Sequence, residues 1–168
     1  MKTFSTIIAA LLVLLGIINF LTRNKRTFAP SNEIPPYFKK QSLLNGKEQL
    51  LFQRLKTTLP DYHVMTQVRL ADIVEVRKHK NWQYWFNKVS QKSVDFVICD
   101  EFFKILVCIE LDGQTHLQPA RLKADKEKND ALNTAKIPLI RIPAHKLPEH
   151  AEIEPMIKAA LSLNFPFC

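Results

Sequence analysis

Two apolar runs interrupted by acids limit this chain more than any other feature. The first is Val94-Asp95-Phe96-Val97-Ile98-Cys99, and the second is Ile105-Leu106-Val107-Cys108-Ile109-Glu110-Leu111-Asp112-Gly113. Short runs of Val, Ile, Leu and Cys read as strands buried on both faces. An isolated carboxylate in such a strand costs several kcal/mol or gives up its charge. Asp95, Glu110 and Asp112 therefore need a common partner, and a hard divalent cation with oxygen ligands is the natural one. The alternative is a set of strand-end acids that point to water.

Strand alternation places Leu106, Cys108, Glu110 and Asp112 on one face, and Asp95, Val97 and Cys99 on one face. A hairpin closing through residues 100–104 predicts Asp95 within one residue of lying opposite Glu110. Cross-strand side chains there are about 5 Å apart. That is close enough to share an ion, and close enough to repel without one.

Residues 4–21 contain no charge and are almost wholly apolar. About 18 to 20 such residues span a bilayer core at 1.5 Å per residue. Lys2 precedes the run, and Arg23, Lys25 and Arg26 follow it. The positive-inside rule then predicts a single-pass anchor in the inner membrane, with the rest of the chain in the cytoplasm. The rival is a cleaved signal peptide. Against it, the charge sits after the run, and the small-x-small candidate Thr27-Phe28-Ala29 is followed by Pro30.

The formal net charge is +8, from 24 Lys and Arg against 16 Asp and Glu. Four of the bases (Lys2, Arg23, Lys25, Arg26) lie in the first 27 residues, which hold no acid, so the remainder carries 20 bases against 16 acids, or +4. Half of the excess is a topology signal. The rest permits nucleic-acid binding without requiring it. Cys99, Cys108 and Cys168 form no CxxC spacing and no disulfide framework, which fits a reducing compartment. With 3 Gly in the chain and no Gly-rich phosphate loop, nucleotide-cofactor chemistry has little support.

The expected organisation is an anchor with its basic flank over 1–26, a Pro-containing linker over 27–41, and a folded domain over 42–168. Within the domain, a helix starts at residue 45 or 46 and stops before Pro60. Glu48 sits on its apolar stripe, either as a functional acid or as a first-turn residue favoured by the helix dipole. A strand follows over 62–70, then a polar connector over 72–80 ending in Arg77-Lys78-His79-Lys80. A short helix over 82–90 carries Trp82, Trp85 and Phe86. After the acid-bearing hairpin come a charged helix over 119–135, a strand over 137–143 and a helix over 152–163. This order predicts an α/β (α+β) domain, a mixed sheet with helices packed on it.

Helix, three strands, helix, strand resembles the core of the restriction-endonuclease-like, or PD-(D/E)XK, nucleases. Asp95 precedes Glu110 by 15 residues, within that motif's spacing, and Glu48 matches the first-helix acid. More closely, Val94-Asp95-Phe96, Ile109-Glu110-Leu111-Asp112-Gly113, His116, Arg121, Asp125 and Ile137-Pro138-Leu139-Ile140-Arg141-Ile142 resemble a bacterial family known as domain of unknown function 2726. The chain is also similar to the very-short-patch-repair type of endonuclease, in which a histidine follows the core strand. The resemblance covers residues 43–143.

What it implies is a Mg²⁺- or Mn²⁺-dependent nuclease, with Asp95, Glu110 and Asp112 as metal-site carboxylates and Glu48 as a supporting acid. The motif lysine is replaced by Asp112, which leaves His116 on the following loop as the general acid or base, or Lys92 as a second candidate. Arg121, Lys92, Arg141, Lys78 and Lys80 are the expected nucleic-acid contacts. A solvated His116 and an i,i+4 pair between Arg121 and Asp125 are the plain readings. The competing function is a catalytically inactive domain of the same fold that binds nucleic acid or a protein partner at the membrane.

Overall fold

The computed structural model describes residues 11–19, 37–113 and 119–164. The chain divides into two compact units, Met1–Gln41 and Ser42–Cys168. In the first unit, residues 11–19 are helical, with side chains such as Leu12 and Val13 exposed. No helix among the described residues is long and apolar enough to cross a membrane. The transmembrane helix expected over 4–21 is therefore not found there, and the ends of that run lie outside the described residues.

The second unit opens with α1 (Gly46–Thr58). Its start is set by a capping box. The Asn45 side chain accepts from the Lys47 and Glu48 amides, and Glu48 Oε2 accepts from the Asn45 N–H at 2.8 Å. Leu51, Leu55 and the following Leu59 form the buried stripe. Strand β1 (His63–Arg69) follows. The chain then turns through one short helix, α2 (Leu70–Ile73), where a plain connector was expected. Buried Leu70 and Ile73 explain the difference: burying both draws the backbone into a turn. Helix α3 (Trp82–Val89) is anchored by Trp82, whose ring stacks on Phe86 at 4.8 Å and whose indole N–H donates to the Val76 carbonyl at 3.0 Å.

Strands β2 (Ser93–Cys99) and β3 (Ile105–Asp112) form the expected hairpin. Asp100 holds the turn by accepting from the Phe102 and Lys104 amides. Helix α4 (Pro119–Thr134), strand β4 (Leu139–Pro143) and helix α5 (His150–Asn164) complete the unit. The sheet order is β1-β2-β3-β4. The first two pairings are antiparallel and β3 pairs β4 in parallel, so the sheet is mixed, as expected.

Each face of the sheet has its own core. On one, Phe96, Ile98, Val107, Ile109 and Ile142 pack with α1 and α5 through Leu51, Leu55, Ile153 and Ile157. On the other, Val97, Cys99 and Cys108 meet α2, α3 and α4 through Leu70, Val89 and Leu132. Both faces being covered is why β2 and β3 read as continuous apolar runs. Alternation sends Glu110 to the second face, where Lys128 of α4 meets it.

Candidate active site

The β2–β3 register pairs Phe96 with Ile109 and Val97 with Cys108. That pairing starts one residue short of Asp95 and Glu110. Asp95 is half-buried, and its Oδ2 accepts the Leu111 N–H at 2.8 Å. Its Oδ1 lies 3.4 Å from the Gln67 side-chain amide. Gln67 has φ 52°, a left-handed conformation rare for a residue with a side chain. The β1–β2 ladder skips it, passing from Thr66↔Phe96 to Val68↔Val94. This local kink lies beside an acid of the site, and strained backbone of this kind clusters at functional positions.

Glu110 is the one charged or polar residue among the described residues that is fully buried, at 5% exposure. It is satisfied from two sides. Lys128 of α4 donates to its Oε1, and Arg141 of β4 lies 3.4 Å from its Oε2. The parallel register places Arg141 beside Glu110. The same guanidinium bonds Asp112 Oδ1 at 2.9 Å and Asn129 Oδ1 at 3.0 Å. Glu110, Asp112, Arg141 and Lys128 thus converge at the end of β3 nearest Gly113, and Asp95 bonds the backbone of the same strand at Leu111. Below them, Cys108 is inert, because burial, with the Glu110 charge second, pushes its thiol up to about 12.

Other expected site residues are placed elsewhere. Glu48 spends its carboxylate on the capping box of α1. Lys92 turns away from Asp95 and bonds Glu127 of α4 at 2.9 Å, a carboxylate that Lys88 also holds. Lys78 and Lys80 are exposed on the connector. His116 lies outside the described residues, and of Arg121 only its backbone place in α4 is described.

Sequence reasoning missed Lys128, Asn129 and Gln67. Lys128 had a signal: it lies four residues before buried Leu132, on the face of α4 turned toward the sheet. A lysine on a helix's inward stripe, after a strand with an unexplained acid, is a candidate partner for that acid. Gln67 had no comparable signal, because its role depends on a kink that nothing in its neighbours announces.

No group of three or more His, Cys, Asp or Glu among the described residues is arranged to hold a metal ion. Asp95 and Glu110 are the carboxylates a hard cation would draw on, and Glu110 is held by Lys128 and Arg141. Mg²⁺ is commonly held by one or two carboxylates, with water and substrate oxygens filling the rest.

Residues 40–161 match the family described as "Protein of unknown function (DUF2726)". The chain belongs to this family. The matched span holds every residue of the acid and base cluster. The chain is also similar to an uncharacterized protein of Haemophilus influenzae, 29% identical over 124 residues. That alignment covers 68% of this chain and 63% of the relative, so the chain matches less than two thirds of the relative's length. No solved structure matches the chain.

Proposed function

We propose that this member of the family is a metal-dependent nuclease that hydrolyses phosphodiester bonds, with a restriction-endonuclease-like core tethered to the inner membrane by its N-terminal apolar run and facing the cytoplasm. The observation that carries the reading is Lys128. The resemblance left the site short of a lysine, because Asp112 occupies its place on β3. Lys128 brings an ammonium to Glu110 from the next helix instead.

Roles follow for each side chain. Asp95 and Glu110 would hold Mg²⁺ or Mn²⁺, which would supply Lewis-acid polarisation of a phosphoryl oxygen and a more acidic bound water. Lys128 orients the nucleophilic water and offsets charge on the phosphoryl oxygens. Arg141 keeps Asp112 and Glu110 in register through its bonds to both. His116 assists proton transfer, and Arg121, Lys78 and Lys80 supply phosphate contacts.

A second reading is supported by the same cluster. Glu110 and Asp112 already have protein cations as partners, the arrangement a binding domain that has lost catalysis would keep. One experiment separates the two. The full chain, in detergent micelles, is incubated with labelled single- and double-stranded DNA and RNA, with Mg²⁺, Mn²⁺ or chelator. The nuclease reading expects cleavage only with metal, and losses of at least about 100-fold in Asp95→Asn, Glu110→Gln and Lys128→Gln. Cleavage that survives those changes contradicts the assignment. Salt-sensitive binding with no cleavage in the wild type supports the second reading.

A further inference from the structure

A cavity of about 820 Å³ opens between the 74–79 connector, α3 and the C-terminal half of α4. Its size is in the range of small-ligand sites, about 300–1,000 Å³. The proposed catalytic residues do not line it. Val76, Tyr84, Trp85, Ala131 and Thr134 form much of its wall. Tyr84 and Trp85 are 56% and 51% exposed, and meet edge to face at 5.1 Å. Trp82, three residues before Trp85, is engaged with Phe86 and Val76, so helix packing already has its tryptophan. Two large rings left at the rim of a cavity are surface available for stacking.

The charges around the cavity select the ligand. Its carboxylates Glu127 and Asp130 are paired, the first with Lys88 and Lys92 and the second with Lys126. Arg77 lines the cavity, with Lys78 and Lys80 next to it in sequence, and none of the three has an ion pair among the described residues. Glu75 is the lining acid in the same condition. Lys88 also sits 5.2 Å from the Tyr84 ring centroid. The available groups are therefore aromatic faces, the Arg77 guanidinium and the Glu75 carboxylate at the other end of the connector, and the first two suit a base and its phosphate.

The geometry points to this cavity as a binding site for an unpaired nucleotide of a nucleic-acid strand, stacked on Trp85 and held at its phosphate by Arg77. The inference deepens the nuclease reading and rests on it for the strand's path. Helix α4 presents Lys128 to Glu110 and, about 9 Å further along its axis, Thr134 to the cavity. That is at most about three nucleotide steps, since an unpaired strand covers at least the ~3.4 Å per step of a duplex. A paired base keeps its faces inside the duplex stack, so the site selects single-stranded or opened segments.

The test is fluorescence anisotropy with the full chain in detergent micelles and labelled 15-residue oligo-dT, oligo-U and a duplex of the same length. The single strands should bind more tightly than the duplex. Trp85→Ala should weaken single-strand binding roughly tenfold, Trp85→Phe should keep most of the affinity, and Arg77→Ala should weaken binding and flatten its salt dependence. Unchanged affinity in Trp85→Ala, a preference for duplex, or equal competition by free thymidine monophosphate overturns the inference. Trp85-independent binding with metal-dependent cleavage removes only this site. Trp85-dependent binding with no cleavage removes only the nuclease reading.

Discussion

Glu110 is a carboxylate removed from water and answered by two cations on two different elements. Pairs of this kind are costly to break, because the partner left behind is a charge without solvent. Lys128→Met is therefore expected to destabilise the chain by about 3 kcal/mol, the lower end for a broken buried pair, since Arg141 remains beside Glu110. Adding Glu110→Leu should restore most of the loss, as an apolar replacement of both partners is close to neutral. Urea unfolding of the two single variants and the double variant measures this directly. An additive double variant would mean that the two residues do not act as a pair. Glu127 offers a pH test. The Lys88 hydrogen bond first, and the Lys92 bond second, hold its carboxyl well below the usual range, at about 2. Its folded pKa is thus depressed. Its contribution to stability is present above about pH 4.3, the unfolded value, and is lost as pH falls toward 2. Between pH 5 and 2.5 the wild type should lose more stability than Glu127→Gln.

Among the elements, the helices and strands lie close to their expected places because each carries its own period or punctuation. The hairpin was legible from two apolar runs, α1 from its stripe and Pro60, and α4 from its charged pattern between loop and strand. The register of the hairpin core was legible too, since alternation and a short turn leave little freedom in it, while the pairing of Asp95 with Glu110 lies one residue beyond the ladder. Three things were not. Helix α2 depends on two buried residues within one turn, too short for a period. The kink at Gln67 depends on the ladder it interrupts. The reach of Lys128 depends on where α4 docks, which sequence spacing does not encode. Glu48 shows the converse: an acid on an apolar stripe drew a functional reading, while Asn45 three residues earlier completed a capping box. Asn45→Ala should accordingly cost about 1 kcal/mol. Glu48→Gln, which can still accept from the Asn45 amide, should cost less. Thermal unfolding of the two variants ranks them, and the reverse order would assign Glu48 a role beyond capping.

For the molecule as a whole, the charge pattern divides the chain as its contacts do. The basic flank of the apolar run accounts for half the net charge, while the folded unit keeps a modest excess concentrated near the connector and α3. The proposed tether would make the chain an integral membrane protein. It should stay in the membrane pellet through alkaline carbonate extraction, whereas a chain held only by surface charge would be released. The tether would also confine the acid cluster to nucleic acid that comes to the membrane, and that suits an unpaired strand better than a packaged duplex. All of this depends on Asp95 and Glu110 acting as one centre. Isothermal titration of Mn²⁺ into the full chain, beside the Asp95→Asn, Glu110→Gln double variant, tests that dependence most directly. The account predicts saturable binding in the wild type that the double variant loses. Absence of binding in the wild type, or equal binding in both, would contradict it.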